Sequence, residues 1–428
     1  MPSVFRIACG FLAVALPASA HSVSWPEPGM NAQHTAFNAD ETVLNTGNVG
    51  SLAVKWTADT NAQIATSTVT QGGRVFTLST DGTLYARHAG NGKLLWSVVV
   101  EQNGAPSNWG VSVKGQLVIS NCQIDYDQST GGGHGGVCAF DAKKGTELWS
   151  YAIYDDGTNN PVDSSPYEAP VIDGDNVIFG ESDTASFGHV GYLIVLNAAT
   201  GAPVGGVGNC GDTESNDCNY VSNAPVAAKS GVIYYNSGEA KGPPGTQGSM
   251  CALGETAATN TWCYYTADSN LAPTVANNLV LFNEANSDGS TSSLLALNQA
   301  TGAVVWSANV SATGGHFAPA VANGLAYFSV GSNGFNNLYA VSLKTGKIKW
   351  TYASGGTVGG LNSGVTVANG VVYAQCRNGG GNLCMFDAES GAVLGATGPG
   401  AYTTAPPTVV NGTILVPCND NDLCEYKP

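Results

Sequence analysis

The chain has 428 residues, of which 56 are glycine and 11% are charged, with 15 Lys and Arg against 31 Asp and Glu. Charged residues usually make up about a quarter of a globular chain and glycine about 7%, so this composition predicts many turns. The 9% of aromatic and 43% of hydrophobic residues exclude a disordered chain. A net charge of −16 argues against nucleic acid and anionic membranes as partners, because both attract basic surfaces.

The first twenty residues have the pattern of a secretory signal peptide. Arg6 precedes a short apolar run over 10–16, and the small residues Ala18 and Ala20 fit the usual cleavage rule. No later apolar stretch is long enough to span a membrane. We therefore expect cleavage near Ala20/His21 and a secreted or periplasmic protein that is soluble after cleavage.

Ten cysteines remain once Cys9 is removed with the signal peptide, and they fall in close pairs. Exported proteins use such pairs as disulfides, and the chain contains no Cys-x-x-Cys that would favour zinc. The predicted local pairs are Cys122–Cys138, Cys210–Cys218, Cys251–Cys263, Cys376–Cys384 and Cys418–Cys424.

A motif with the spacing Ala-x-Asp-x-x-x-Gly-x-x-x-Trp recurs along the chain, most clearly from Ala139 to Trp149. Copies begin at residues 86, 139, 195, 252, 296, 340 and 385, a spacing of 44 to 57 residues that is typical of propellers and solenoids. Alternating apolar strands and turns such as Asn323-Gly324 surround each copy. Four strands per repeat without helical periodicity indicate a propeller blade, with the tryptophans packed between blades.

The two ends of the chain complete an eighth blade. The C-terminus from Pro407 supplies three strands and no Trp strand, whereas the strand around Trp56 has no partner before it. Pairing them closes the ring and removes both sheet edges. The predicted fold is all-β, an eight-bladed β-propeller of four-stranded antiparallel blades, with an N-terminal strand pairing with the C-terminal blade. The predicted organisation is a signal peptide (1–20), an N-terminal segment (21–42) and the propeller (43–428).

These repeats resemble those of the pyrroloquinoline quinone (PQQ) repeat family of β-propellers, the quinoprotein alcohol dehydrogenase-like superfamily. The resemblance covers about residues 25–428 and is carried by the motif copies together with Trp25-Pro26, Phe37-Asn38 and the stretch 48–56. It implies the propeller fold. The family contains alcohol dehydrogenases that use PQQ with calcium, and non-enzymatic propellers such as a lipoprotein that helps to assemble outer-membrane proteins.

The dehydrogenase motifs of that family are changed in this sequence. In the segment 184–191, Ser186 stands where the dehydrogenases have a calcium-binding Glu, and Val190 stands where they have an Arg. Calcium prefers several hard oxygen ligands, and Glu181 and Asp183 are the neighbouring carboxylates that would have to replace that Glu. The chain also lacks adjacent cysteines and an Asp-x-Trp-Asp run. The sequence therefore assigns no metal site.

The residues just before each innermost strand are predicted to line the propeller axis. Amides and aromatic rings with few charges suit a neutral polar ligand such as a sugar, or a flat cofactor such as a quinone. Glu168 and His316 are the candidate catalytic residues. The asparagines among the axial residues have a second interpretation, because Asn just before a strand often serves only as a turn residue. The candidate binding residues are Asn108, Trp109, Tyr167, Glu168, Asn223, Asn270, His316, Phe317 and Asn362.

Two functions fit this pattern, and whether the chain is an enzyme is left open. The first is an exported module, expected to be monomeric, that binds a small polar ligand or another exported protein. The alternative is a divergent PQQ-dependent oxidoreductase, with PQQ and calcium as cofactors, that acts on alcohols or sugars through the axial funnel.

Overall fold

The computed structural model describes most of the chain beyond the N-terminal 23 residues. The described ranges are 24–64, 66–101, 110–127, 132–153, 165–166, 168–182, 191–207, 226–237, 248–257, 260–266, 272–285, 291–310, 317–331, 336–377, 382–398, 404–419 and 421–428.

Eight sheets follow one another along the chain, which confirms the predicted eight-bladed propeller. Their strands are antiparallel, except that the short strand Phe37–Asn38 pairs parallel with the innermost strand of blade 7. Before the first complete blade come β1 (Phe37–Asn38), a 3-10 turn (Val49–Ser51) and β2 (Ala53–Asp59). Blades 1 and 2 contain β3 (Val69–Gln71), β4 (Arg74–Leu78), β5 (Thr83–His88), β6 (Leu94–Val99), β7 (Val111–Lys114), β8 (Leu117–Asp127), β9 (Gly132–Asp141) and β10 (Glu147–Ala152).

Blades 3 and 4 contain β11 (Ser165–Pro166), β12 (Val171–Asp173), β13 (Asn176–Ser182), β14 (Gly191–Asn197), β15 (Pro203–Val207), β16 (Ala227–Lys229), β17 (Val232–Ser237), β18 (Gly248–Gly254) and β19 (Asn260–Thr266). Blades 5 and 6 contain β20 (Thr274–Ala276), β21 (Leu279–Ala285), β22 (Ser292–Asn298), β23 (Val304–Val310), β24 (Ala320–Ala322), β25 (Leu325–Val330), β26 (Asn337–Ser342) and β27 (Ile348–Tyr352). Blade 7 contains β28 (Gly360–Ala368), β29 (Val371–Arg377), β30 (Asn382–Asp387) and β31 (Val393–Thr397), and blade 8 contains β32 (Thr408–Val410), β33 (Thr413–Cys418) and β34 (Asp422–Lys427).

The N-terminal strand closes the ring as predicted. Strand β2 pairs antiparallel with β34 and becomes the outermost strand of blade 8, with Trp56 opposite Glu425. The innermost strands also contact one another in blade order from β3 to β32, and Thr408 of blade 8 donates a hydrogen bond to the Thr68 carbonyl of blade 1 (2.5 Å). Both ends of the chain therefore meet in one blade.

The hairpin turns have the backbone that the Asn-Gly pairs predict. At Asn323-Gly324 the φ angles are 51° and 78°, and both residues of Asn369-Gly370 also have positive φ. Two consecutive positive φ values define the type I′ turn, whose twist matches that of the flanking strands.

The repeated tryptophans pack between blades and form an outer ring, as predicted. In six blades the indole N–H donates to a backbone carbonyl of the next blade, and the same ring lies against that blade's turn glycine. A Cβ on Gly346, for example, would lie 2.9 Å from Trp306 Cδ2. The hydrogen bonds join Trp56 to Ala89, Trp96 to Ala142, Trp149 to Ala198, Trp262 to Gln299, Trp306 to Leu343 and Trp350 to Ala388 (2.8–3.2 Å).

The hydrophobic core consists of layers between neighbouring blades. Val69 and Phe76 of blade 1, for instance, share one buried cluster with Val111 and Val118 of blade 2. Serine or threonine hydroxyls add a hydrogen bond between innermost strands, as from Ser112 to the Pro170 carbonyl (2.5 Å). Each blade is thus stabilised mainly by its neighbours in the ring.

Four of the five predicted disulfides are present. They are Cys122–Cys138, Cys251–Cys263, Cys376–Cys384 and Cys418–Cys424. The predicted pair Cys210–Cys218 lies outside the described residues. Within the described ranges, no helix has both the length and the hydrophobicity needed to cross a membrane.

Candidate functional site

Residues 25–38, here called the strap, run around the inside of the ring and contact every blade. In every blade at least one strap hydrogen bond falls on the middle residue of the innermost strand or its equivalent, and these bonds follow the order of the blades. The hydrogen bonds are Trp25 with Thr70 in both directions (3.0 and 2.8 Å), Pro26 O with Val113 N (2.7 Å), Glu27 Oε2 with Ile172 N (3.4 Å), Ala32 O with Ala228 N (2.7 Å), Gln33 O with Val275 N (2.9 Å), Thr35 O with Val321 N (2.8 Å), Ala36 O with Val367 N (2.9 Å) and Asn38 Nδ2 with Val409 O (2.9 Å).

The strap satisfies backbone groups that the blades leave unpaired at the axis. An innermost strand has a sheet neighbour on one side only, so its other edge needs hydrogen-bond partners. At six blades the partner is a strap backbone carbonyl. At blade 3 the Glu27 side chain takes its place, and at blade 8 the Asn38 side chain donates instead.

The strap backbone adopts positive φ angles at three positions that are not glycine. Met30, His34 and Ala36 have φ angles of 79°, 56° and 47°, and they are the described residues with positive φ that are neither Gly, Asn nor Ser. Positive φ costs about 1–3 kcal/mol for such residues and often occurs at functional sites. Two of the three, His34 and Ala36, face the cavity described next.

A cavity of about 290 Å³ lies on the axis between the strap and the residues that lead into the innermost strands. Ligand pockets usually measure about 300–1,000 Å³, so this one suits a small molecule. The described residues that line it are Pro28, Gly29, His34, Ala36, Thr66, Ser67, Glu168, Ala169, Val171, Ala272, Phe317, Ala318, Gly364, Val365, Thr404, Ala405 and Pro406.

The lining residues lie at a fixed distance along the chain from the strap contacts. In six blades, the residue three positions before the one that bonds the strap lines the cavity, and this residue is always small or a proline. These residues are Ser67, Ala169, Ala272, Ala318, Gly364 and Pro406. Residues one position earlier, such as Glu168 and Phe317, add the larger side chains to the wall.

Glu168 lines this cavity and carries a carboxyl for which the described residues provide no partner. Its backbone carbonyl accepts a hydrogen bond from Asn121 Nδ2 (3.0 Å), which fixes the chain there. The residue as a whole is partly exposed, but burial of its carboxyl raises the pKa to about 8. No described residue donates a hydrogen bond to that carboxyl or perturbs it by charge. At neutral pH the group is therefore mainly a neutral acid that can donate a hydrogen bond.

His34 is the second ionisable residue of the described lining. It is 8% exposed, and burial lowers the pKa of the imidazole to about 4, against the smaller opposing effect of a hydrogen bond to the backbone of Pro273. The ring is therefore neutral at neutral pH. A neutral imidazole has one donor nitrogen and one acceptor nitrogen.

The structure brings together part of the predicted axial set. Glu168 and Phe317 lie in the cavity wall, and whether they bind a ligand stays a prediction. Asn362 lies within β28, where Gly364 and Val365 rather than Asn362 line the cavity. Asn108, Trp109, Tyr167, Asn223, Asn270 and His316 lie outside the described residues, as does Asp183, and Glu181 belongs to β13 with its side chain outside the description.

Sequence reasoning missed the strap and therefore His34. The strap has no repeat and no strand periodicity, and it bonds chiefly through backbone atoms, which leave no pattern in the sequence. One usable signal was present. Small residues recur just before the apolar strand openings, as at Ala169, Ala272 and Ala318, where a bulky side chain would fill the axis.

The described donor set does not fit PQQ with calcium. Calcium prefers six to eight oxygen ligands, carboxylates among them, whereas Glu168 supplies the single carboxyl of the described lining. No group of three or more His, Cys, Asp or Glu that could hold a metal occurs among the described residues. PQQ itself carries several carboxylates, and the described lining contains no Lys or Arg to pair with them.

Comparison with known proteins identifies the family. A family model described as "Outer membrane protein assembly factor BamB" matches residues 22–204, 189–359 and 290–428. The chain belongs to this PQQ-repeat propeller family. No curated protein gives a significant match to the sequence.

Several solved structures share the fold at low sequence identity. Quinohemoprotein alcohol dehydrogenase from Comamonas testosteroni is 15% identical with a TM-score of 0.68, over 95% of this chain and 81% of that one. BamB from Moraxella catarrhalis is 15% identical with a TM-score of 0.57, over 88% and 98%. The computationally designed Ika8 protein is 14% identical with a TM-score of 0.62, over 88% and 99%. Because an enzyme, an assembly factor and a designed protein are all similar, the likeness shows the fold and not an activity.

Proposed function

We propose that this chain is an exported binding propeller, without chemistry of its own, that holds a small ligand in its axial cavity. The observation that carries this proposal is the Glu168 carboxyl, which lies in an otherwise largely apolar cavity without a hydrogen-bond partner among the described residues. Glu168 is only partly exposed, and no described group pairs with its carboxyl, so that carboxyl is available to a ligand in the cavity. A ligand that accepts a hydrogen bond from it would use this free donor.

Export is supported by the disulfides and by the signal-like N-terminus. Four disulfides join neighbouring strands, and such bonds persist mainly in oxidising compartments. We infer that residues 1–20 direct the chain out of the cytoplasm. Binding of another exported protein stays a second form of the proposal, suggested by the family description and by the similar fold of BamB.

The alternative is a divergent PQQ-dependent oxidoreductase acting on alcohols or sugars. The similar folds of quinohemoprotein alcohol dehydrogenases favour it, and the donor set of the described cavity argues against it. The two proposals differ in a directly measurable way, since only the oxidoreductase needs saturable PQQ binding and electron transfer to a dye.

The test uses the mature protein and one variant that closes the cavity. Thr404 lines the cavity and is exposed, so Thr404→Trp fills the mouth without disturbing the core. Thr351→Trp, on the exposed outermost strand β27, is the matched control. We expect at least one of benzamide, benzyl alcohol and a monosaccharide series to bind in ligand-observed NMR, and Thr404→Trp alone to abolish that binding.

Two results would overturn the proposal. One is the absence of binding by every uncharged compound, or binding that survives in Thr404→Trp. The other is saturable binding of PQQ with calcium or a lanthanide, accompanied by dye-linked oxidation of an alcohol or sugar, which would establish the oxidoreductase instead.

A further inference from the structure

We propose that the axial cavity selects an uncharged ligand that accepts a hydrogen bond from Glu168 and donates one to the imidazole of His34. The inference rests on the proposed function and adds the chemical class of the ligand. It also gives the strap a role in ligand specificity, in addition to its hydrogen bonds with the innermost strands.

The two residues reach the same cavity from different parts of the chain. His34 belongs to the strap, and Glu168 belongs to the segment that leads into β12. They are the ionisable residues of the described lining, whose other members are Ala, Gly, Val, Pro, Phe, Ser and Thr. The cavity therefore combines two polar contacts with a largely apolar wall, which is the usual composition of a small-molecule site.

Their protonation leaves the described lining uncharged over a broad pH range. The pKa of Glu168 is about 8 and that of His34 is about 4, in both cases because of burial. Between these values one group is a hydroxyl donor and the other a neutral imidazole. No other ionisable side chain of the described lining faces either group, and the backbone of Pro273 is the polar neighbour of the His34 ring. An ionic ligand would lose hydration here without gaining a counter-charge from the described lining.

The strap holds His34 in a fixed position. Its φ of 56° is maintained by a hydrogen bond from its own N–H to the Asn31 carbonyl (2.8 Å) and by Thr274 Oγ1, which donates to its carbonyl (3.2 Å). Gly29 backs the side chain, since a Cβ there would lie 3.3 Å from His34 Cβ and 3.4 Å from Cδ2. A polar group held in place before the ligand arrives loses little entropy on binding.

Three compounds of similar shape test the inference at pH 6.5: benzamide, benzoate and benzylamine. Benzamide has an acceptor carbonyl and a donor N–H, whereas the other two are an anion and a cation. We expect benzamide to bind at least about tenfold more tightly than either ion, the factor that one lost hydrogen bond to a neutral partner corresponds to. We also expect the benzamide affinity to fall about tenfold between pH 7 and pH 9, as Glu168 loses its proton.

Variants separate the two residues. Glu168→Gln keeps a donor that does not titrate, so benzamide should still bind and the loss between pH 7 and pH 9 should disappear. Glu147→Gln, on an exposed outer strand, should leave the loss unchanged. His34→Asn tolerates the positive φ but is too short to replace the ring, so benzamide should bind about tenfold more weakly with no change in the pH profile.

The outcomes distinguish this inference from the proposed function. If benzamide binds and Thr404→Trp abolishes its binding, but benzoate or benzylamine binds equally well, the cavity is a ligand site and the selection for uncharged ligands is wrong. The same conclusion follows if Glu168→Gln keeps the pH dependence or His34→Asn binds benzamide normally. If none of the uncharged compounds binds, the proposed function itself fails.

Discussion

Two rings of contacts join the blades, and they are built in opposite ways: the inner one reaches all eight blades, and the outer one covers six of the eight junctions. The outer ring consists of repeated tryptophans, each donating a hydrogen bond to the next blade and stacking on its turn glycine. The inner ring is the strap, a single segment that does not repeat and that contacts each blade in turn, mostly through its backbone. The outer ring is therefore divided among the repeats, while the inner ring depends on one stretch of chain.

This difference predicts which mutations the propeller tolerates and which ones destabilise it most. Loss of one tryptophan affects one blade junction and leaves the others intact. Loss of the strap removes a partner from every blade at once and also removes the surface that closes the axial cavity. We expect the two rings to respond very differently to mutation.

Truncation of the strap should have the largest effect. A mature chain that begins at residue 39 loses the contacts to all eight blades, together with Trp25, which is 1% exposed. At about 1 kcal/mol for each of the nine hydrogen bonds, the loss of about 9 kcal/mol is comparable to the total stability of many domains. We expect no cooperative unfolding transition in guanidinium, measured by circular dichroism.

A chain that begins at Trp25 is the control, because it keeps every strap contact. A synthetic peptide covering residues 21–42, added to the truncated chain, should restore a cooperative transition. If the chain beginning at residue 39 unfolds at the same guanidinium concentration as the control, the strap contributes nothing measurable and the inner ring is not a structural element.

Substitution of one tryptophan of the outer ring should have a smaller, local effect. Trp306 is 8% exposed and donates to the Leu343 carbonyl at 2.8 Å. Trp306→Ala should destabilise the protein by about 3–5 kcal/mol, and Trp306→Phe by less, because it keeps an aromatic ring and loses the hydrogen bond. Chemical unfolding measures both.

Tyr265→Ala provides the comparison at an exposed position of another outer strand, β19, where the side chain is 44% exposed. Its effect should stay within about 0.5 kcal/mol. A cost for Trp306→Ala as small as this would mean that the outer ring packs without stabilising the junction.

The outer ring could be predicted from the sequence and the inner ring could not, for the same physical reason. A tryptophan and a glycine at fixed spacing, as at Gly145 and Trp149, repeat because each junction needs the same side-chain packing. The pairing of β2 with β34 was predictable because the sequence contains a Trp strand without a blade at its N-terminus and a three-stranded blade without a Trp strand at its C-terminus. Strap contacts use mostly backbone groups, which every residue carries, so no residue pattern in positions 25–38 predicts these contacts.

The candidate site was predictable to a similar, partial extent. Glu168 could be placed near the axis because it precedes an innermost strand, and that counting rule needs no side-chain information. His34 could not, because its position depends on a positive φ and on the path of the strap past the innermost strands. In β28 the same rule pointed to Asn362, but the register shifts between Leu361 and Val365, and Gly364 lines the cavity instead.

A pH-dependent effect, the smallest of the three when expressed per pH unit, tests the inner ring at blade 3, where the Glu27 side chain replaces a backbone carbonyl. Burial raises the pKa of Glu27 to about 8, and nearby Asp173 adds to the rise. Because the folded state keeps its proton to higher pH than the unfolded chain, Glu27 lowers stability progressively as pH rises from about 4.5 to about 8.

Glu27→Gln keeps an oxygen for Ile172 N–H and does not titrate, so the free energy of unfolding of the variant minus that of the wild type should increase by about 1.4 kcal/mol per pH unit across this range. Urea unfolding at pH 5, 6, 7 and 8 measures this difference, with Glu147→Gln as the exposed control. A difference that stays constant with pH would show that Glu27 is ionised in the folded protein, and that blade 3 is held by a charged rather than a neutral hydrogen bond.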